Sequence, residues 1–155
     1  MDDYERAVAL IDEHGEAADF AGPRPRGLID LAERAVDIRF PPTYRRFLSE
    51  YGAGSIGGTE IYGVVDGDFE NSSIPDAVWH NLTLRGDDHD EGLFSFHAVG
   101  DGEEFCLDSS RVRPDGEMPV VGVYTGIDER RDIAPDFGSA FLLLLREELG
   151  LDGDA

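Results

Sequence analysis

Apolar residues recur at helical spacing in two stretches near the start of the chain. In the first stretch, acidic residues separate the apolar residues Tyr4, Ala7, Val8 and Ile11. In the second, the spacing i, i+3, i+4, i+7, i+8 is that of a helix with one face on a core, at Leu28, Leu31, Ala32, Ala35 and Val36. Residues 18–25, between the two predicted helices, contain one glycine and two prolines and are predicted to form a loop.

A third helix is predicted to begin at Pro42, because a proline at the first helical position loses no hydrogen bond. Pro41 ends the second helix before Phe40, since the residue that precedes a proline disfavours helical backbone. The apolar face of the third helix consists of Tyr44, Phe47, Leu48 and Tyr51. Gly52 follows this face and can adopt the left-handed conformation that commonly ends a helix.

The period then changes from helical to alternating, which predicts an antiparallel sheet in the middle of the chain. Residues 60–65 predict a strand behind a glycine-rich turn. Residues 93–108 predict a hairpin whose turn is Gly-Asp-Gly at 100–102. Residues 118–124 predict a further β segment, with Pro119 at its start or on an edge.

Two more helices are predicted, at 75–85 and at the end of the chain. The apolar face of the helix at 75–85 consists of Val78, Trp79 and Leu82. The last helix is capped by Asp136 and closed by Gly150. Its apolar residues are Phe137, Phe141, Leu142, Leu144, Leu145 and Leu149. With no repeat and no long linker, the pattern predicts one α+β domain over residues 1–155, a central antiparallel sheet flanked by N-terminal helices and a C-terminal helix.

The charge balance restricts the partners of the chain. Thirty-four acidic residues oppose thirteen basic ones, all arginine, for a net charge of −21. Coding bias towards arginine codons or adaptation to high salt would each explain part of this composition without reference to function. The charge repels nucleic-acid phosphates and anionic membrane surfaces, so we expect neither as a ligand. A basic protein would instead be attracted.

The compartment is predicted from three features of the sequence. Cys106 is the only cysteine, so no internal disulfide can form. The first residues are acidic, unlike the start of a secretory signal. No apolar run reaches the roughly 20 residues of a membrane span. We therefore expect a cytoplasmic protein.

The polar motifs do not match a catalytic or metal-binding pattern. The acidic stretch 87–91 lacks the glycine and glutamate spacing of a calcium-binding EF-hand loop, and the chain has no zinc-type pair of His or Cys residues. Cys106 is predicted to be a buried, inert thiol; a pair with His97 across the hairpin is conceivable, but nothing in the sequence orients it. The glycine-rich stretch 52–58 follows a helix and opens a strand, the reverse of a dinucleotide-binding loop. We expect no enzyme activity, metal or cofactor.

Residues 40–54 resemble the signature of the SUKH superfamily, bacterial immunity proteins related to the fungal Smi/Knr cell-wall regulators. Their sequence is Phe-Pro-Pro-Thr-Tyr-Arg-Arg-Phe-Leu-Ser-Glu-Tyr-Gly-Ala-Gly, and a strand at 61–64 follows. The resemblance continues in order through Trp79, Phe96, 100–102, 105–108, 116–120 and 137–138. It implies that the recognisable positions determine the fold: Pro42, Tyr44, Phe47, Leu48, Gly52 and Gly54.

The resemblance implies a protein that binds and neutralises a protein toxin of a bacterial contact-dependent or polymorphic toxin system. A basic nuclease would suit the acidic charge. Clustered carboxylates pair with Arg and Lys, and Trp is a frequent interface anchor, so the predicted contact group is Asp87, Asp88, Asp90, Glu91 and Trp79. Two alternatives stay open: a solvated loop beside a core tryptophan, and a non-enzymatic regulatory scaffold of the Smi/Knr type. The sequence does not determine the oligomeric state.

Overall fold

The computed structural model describes residues 1–87, 89–124, 127 and 129–151. The helices of this part of the chain are α1 (Asp3–Glu13), α2 (Arg26–Val36), α3 (Pro42–Glu50), α4 (Ala77–Arg85) and α5 (Phe137–Glu148). Its strands are β1 (Ala18–Phe20), β2 (Gly54–Ile56), β3 (Thr59–Ile61), β4 (Leu93–Ala98), β5 (Glu103–Asp108), β6 (Val120–Tyr124) and β7 (Arg130–Ala134). The predicted α+β class, with antiparallel strands and a C-terminal helix, is confirmed.

The strands form two antiparallel sheets, where the sequence predicted one. The first sheet has the order β1-β2-β3 and the second the order β4-β5-β6-β7. The predicted strand at 60–65 ends at Ile61, and the next residue joins the sheets, because the Tyr62 N–H donates to the Phe96 carbonyl over 2.8 Å. Gly63 then forms an isolated parallel bridge with Asp76, the residue before α4.

Three strands escaped the sequence analysis. β1 lies within the stretch predicted as a loop, so that prediction is wrong for Ala18–Phe20, and β2 lies within the predicted glycine-rich turn. Both strands have only three residues, too few for an alternating pattern to be recognised. β7 begins with three exposed polar residues, as is typical of a sheet edge, and carries little apolar signal.

The buried faces of two helices differ from the predicted ones. In α2 the buried residues are Ile29, Ala32 and Val36, while Leu31 is 40% exposed. In α4 they are Ala77, Val78 and Asn81, while Leu82 is 37% exposed. Both predictions counted apolar side chains alone. In α4 the amide of Asn81 is buried as well, because hydrogen bonds satisfy it.

The core is an aromatic cluster centred on α3. Tyr44, Phe47 and Leu48 are fully buried. The Tyr44 ring lies 5.0 Å from that of Phe137 on α5, and the Phe47 ring lies 5.3 Å from that of Phe141. Phe94 and Phe96 bring β4 against the same rings. Edge-to-face and tilted pairs of this kind stabilise a core beyond the apolar area that they bury.

Special residues hold both ends of α3. Pro41 and Pro42 start the helix without a side-chain cap of their own, and the distant Glu117 supplies one, accepting hydrogen bonds from the Thr43 N–H and hydroxyl over 3.0 and 2.9 Å. Gly52 adopts φ of +75° at the other end, where its N–H donates to the Phe47 and Leu48 carbonyls. Gly54 follows with φ of +154°, and a Cβ there would collide with the main chain of β1.

Candidate functional site

The predicted contact residues lie towards opposite ends of α4. Trp79 is half-buried in the first turn, where its main-chain N–H donates to the Asp76 carboxylate over 3.1 Å. The helix ends at Arg85, about 9 Å further along its axis. Asp87, Asp90 and Glu91 follow in the connection to β4, and all three are exposed. Asp88 lies outside the residues that the structure describes.

The connection between α4 and β4, called the acidic connection below, carries carboxylates of two kinds. Some are already bound within the fold, and others are free to bind a partner. Asp90 accepts a charged hydrogen bond from Arg130 over 2.8 Å and a second one from the Gly92 N–H over 2.7 Å. Glu91 contributes only its main-chain carbonyl, which accepts from Arg85 over 3.0 Å. The Asp87 and Glu91 carboxylates bind none of the residues that the structure describes, so these two remain available to a partner.

Arg130 connects this loop to a buried aspartate on the sheet. Asp108 is 2% exposed, and its carboxylate receives hydrogen bonds from Ser110, Arg111 and Arg130. Burial would raise the pKa of Asp108, but these hydrogen bonds and the arginine charges outweigh it and hold the pKa below its usual value. Ion pairs from Arg130 to Asp90 and from Arg111 to Asp132 extend the network to the surface.

The cluster that most resembles a catalytic site lies between α4 and β4. The Ser95 hydroxyl donates to Glu104 over 2.5 Å, and the same carboxylate oxygen lies 2.7 Å from the Nε2 atom of His80. The carboxylate thus separates the serine from the histidine, whereas nucleophilic catalysis needs the base on the serine itself. Ser95 is also fully buried. This arrangement attaches α4 to the sheet.

Asn81 completes that attachment through the backbone of β4. Its side-chain oxygen accepts from the Ser95 N–H over 2.7 Å, and its nitrogen donates to the Ser95 carbonyl over 2.9 Å. The amide therefore binds the strand as a neighbouring strand would. Every polar group of Asn81 that points inward has a partner, which explains its complete burial.

The conceivable Cys106–His97 pair is ruled out by the strand register. A β-bulge between Ser95 and His97 places Ser95 opposite Cys106 and His97 opposite Phe105. The Nδ1 atom of His97 lies 2.8 Å from the Glu60 carbonyl oxygen instead. Cys106 is fully buried, and burial raises the pKa of its thiol well above the usual value.

A groove of about 850 Å³ runs along one side of α3, from Pro42 to Ser49. Its inner wall is apolar, because Ile29, Phe40 and Met118 line it and are no more than 3% exposed. Residues of the 112–116 loop also line the groove. Four arginines line the groove, Arg26, Arg39, Arg45 and Arg46. Glu117 lies behind Thr43 at the start of α3, and burial raises the pKa of its carboxyl despite the hydrogen bonds from Thr43.

Comparison with protein families decides the ancestry of the chain. The model of the SUKH_6 family, described as SMI1-KNR4 cell-wall, matches residues 26–142. This chain belongs to the SUKH_6 family. The match begins at the first residue of α2 and ends within α5, so it contains the aromatic core, the acidic connection and the groove.

A solved structure has a similar fold. It is the crystal structure of a protein from Pseudomonas syringae pv. tomato, with a TM-score of 0.58. The alignment covers 79% of this chain and 88% of that one, at 15% sequence identity. At that identity the similarity establishes the fold alone.

The described residues contain neither a cluster suited to a metal ion nor a helix suited to a membrane span. No group of three His, Cys, Asp or Glu side chains lies close enough to bind a metal ion. No helix is long and apolar enough to cross a membrane.

The sequence analysis missed the arginine-lined groove of this SUKH_6 protein. A signal was present, since six of the thirteen basic residues lie between positions 24 and 46. That density was overlooked because the overall charge is so negative. Which arginines face one groove depends on how α2 packs against α3, and no linear pattern contains that information.

Proposed function

We propose that this SUKH_6 protein is an immunity protein, which binds and neutralises a protein toxin of a bacterial contact-dependent or polymorphic toxin system. The observation that carries the proposal is the family match over residues 26–142. The protein would act in the cytoplasm of the cell that makes it, as a stoichiometric inhibitor rather than as an enzyme. Its affinity would come from surface shape and charge.

The side chains that could act in catalysis are buried or hydrogen-bonded within the fold, which supports a binding role. Cys106 and Ser95 are fully buried, and Ser95 donates to a carboxylate instead of to a base. His97 and His89 each lie within hydrogen-bonding distance of a main-chain carbonyl. Side chains that are enclosed and partnered in this way stabilise a fold and do not reach a substrate.

The charge supports a basic toxin as the partner. A net charge of −21 accelerates encounters with a positively charged protein over long distances. Asp87 and Glu91 are exposed and free to form charged hydrogen bonds with Arg or Lys of the toxin. Asp90 is already bound to Arg130 and would contribute less, and Trp79 would contact the partner beyond the other end of α4.

The test uses the protein encoded by the reading frame next to this one. We expect it to be toxic when expressed alone, to be neutralised by co-expression with the full chain, and to form a 1:1 complex in analytical ultracentrifugation. The double variant Asp87→Asn, Glu91→Gln should weaken that complex by roughly tenfold at low salt.

A matched control separates local contact from general charge. Glu13→Gln with Glu16→Gln removes the same number of exposed charges from α1 and the turn after it, and should weaken binding far less. Equal losses for the two double variants would exclude the acidic connection as the contact. A neighbouring protein that neither harms cells nor binds this chain would refute the immunity function itself.

A second candidate is a regulatory scaffold of the Smi/Knr type, which the cell-wall description of the family favours. It would bind proteins of its own cell and require no toxin. Deleting the gene together with its neighbouring reading frames distinguishes the two functions. A cell-wall defect restored by this gene alone supports the scaffold, whereas normal growth supports the immunity protein.

A further inference from the structure

Two of the groove arginines are unpaired, in a chain where acidic partners are abundant. Arg26 and Arg39 are exposed and form neither an ion pair nor a side-chain hydrogen bond with the residues that the structure describes. The other two are engaged: Arg45 binds Asp30 and Glu33 over 3.0 and 2.6 Å, and Arg46 binds Glu50 over 3.3 Å. With thirty-four acidic residues in the chain, unpaired arginines on one groove form a local positive site that the net charge conceals.

The groove joins this positive rim to an apolar wall. Ile29 on α2, Phe40 before α3 and Met118 before β6 line it, with Pro42 and Val112 at its edges. Val112 is 53% exposed, so apolar surface continues out of the groove onto the 112–116 loop. A ligand that fits both parts carries negative charge next to an apolar group.

The start of α3 argues against a phosphate group as that ligand. Phosphate sites at helix N-termini use free main-chain N–H groups. Here Pro41 and Pro42 have none, and the Thr43 N–H donates to Glu117. The Asp115 carboxylate in the lining would repel a polyphosphate more strongly than a single carboxylate, because a polyphosphate carries more negative charge. Planar guanidinium groups suit carboxylates well, because they bind both oxygens at once.

We propose that this groove binds an acidic peptide segment of a partner protein. Carboxylates of the segment pair with Arg26 and Arg39, and a neighbouring apolar side chain packs against Ile29, Phe40 and Met118. The ligand is acidic, whereas the proposed toxin contact needs a basic surface. The proposal of peptide binding in the groove can therefore be refuted without refuting the immunity function, and the reverse is also true.

The experiment selects peptides from a phage-displayed library of random linear sequences on the immobilised full chain. We expect the enriched peptides to carry Asp or Glu next to a large apolar residue. A fluorescein-labelled copy of an enriched peptide then measures affinity by fluorescence anisotropy. Arg26→Gln and Arg39→Gln should each weaken its binding about tenfold, and the double variant more.

Arg34→Gln is the matched control, because Arg34 on α2 is also exposed and has no partner among the described residues, but does not line this groove. It should bind the peptide like the unchanged protein. Thermal melting should be the same for all variants, since none of these arginines bonds to the described fold.

Four outcomes would overturn the proposal. The first is a selection that yields no acidic peptides, and the second is an unaltered peptide affinity in the Arg26→Gln, Arg39→Gln double variant. The third is displacement of the peptide by ATP or inorganic phosphate at comparable concentration. The fourth is self-association of the chain through this groove. The third outcome would identify a site for small anions. The fourth would be seen in analytical ultracentrifugation, as a sedimentation coefficient that differs between the unchanged protein and the double variant.

Discussion

Both faces of β4 and β5 and of most of β6 are buried, but the two faces are held in place by different interactions. On the inner face, Phe94 and Phe96 contact the aromatic rings of α3 and α5. On the outer face, Ser95 binds Asn81 and Glu104, and Asp108 binds three polar or charged side chains. A smaller apolar cluster of Leu93, Cys106, Val121 and Val123 lies among these polar groups.

The two faces therefore differ in what they contribute: one mainly stabilises the fold, and the other mainly orients α4. Apolar contacts scale with the area that they bury and tolerate some rearrangement. Buried hydrogen bonds contribute less on balance but penalise every arrangement that leaves a partner unsatisfied. The inner face therefore supplies most of the folding free energy, while the outer face determines where α4 and the acidic connection lie.

The most severe test of the inner face is Phe96→Ala. Phe96 is fully buried and lies 5.1 Å from the Phe137 ring, centroid to centroid. Loss of the ring should lower the free energy of unfolding by about 3–5 kcal/mol, measured by urea denaturation. Phe96→Leu, which retains much of the volume, should cost clearly less. A loss below about 1 kcal/mol would contradict the assignment of the core to this face.

Asn81→Ala tests the polar attachment of α4. The substitution leaves the Ser95 N–H and carbonyl without their present partner, and we expect a loss of about 1–3 kcal/mol in the same assay. Thr83→Ala, at an exposed position of the same helix, should change stability by less than about 0.5 kcal/mol. Equal effects of the two substitutions would show that Asn81 has no special role.

Asp108 makes the outer face sensitive to acid. Its pKa is lower in the folded protein than in the unfolded chain, so its stabilising contribution is present above its ordinary pKa of 3.8 and is lost as the pH falls through the lower folded value. Asp108→Asn should cost about 1–2 kcal/mol at neutral pH and make stability less dependent on pH in the acidic range. Asp132→Asn is the control, since that side chain is 81% exposed and its ion pair contributes little.

The smallest expected effect is that of Cys106→Ala. The side chain is small and its thiol lies a long 3.9 Å from the Glu104 carbonyl oxygen, so a loss of about 1 kcal/mol is expected. The native thiol should resist Ellman's reagent, because it is buried and its raised pKa disfavours the reactive thiolate. Rapid labelling of the folded protein would show that the outer face opens readily.

The elements that the sequence predicted well are those with a long local signal. The helix α3 follows from Pro42, its aromatic face and Gly52, all within eleven residues. The helix α5 follows from the Asp136 cap, confirmed by its bond from the Ser139 N–H over 2.8 Å, and from a run of apolar residues. The hairpin of β4 and β5 follows from alternation around its Gly-Asp-Gly turn.

The features that escaped prediction depend on pairs of residues far apart in sequence. Glu117 caps α3 across 74 positions, and Arg130 binds Asp90 across 40. The β-bulge that separates His97 from Cys106 is a property of two strands together. The spacing of residues within either segment gives no sign of these pairs.

The sequence by itself determined the α+β class, the principal helices and the negative charge, because each depends on local spacing or simple composition. It predicted the acidic connection as a surface but did not indicate that Asp90 is bound to Arg130 while Asp87 and Glu91 remain available. Only the tertiary structure decided that, and only it brought Arg26 and Arg39 to one groove. Local periodicity identifies an element and the approximate direction of its apolar face, but the relative positions of charged side chains depend on how the elements pack against one another.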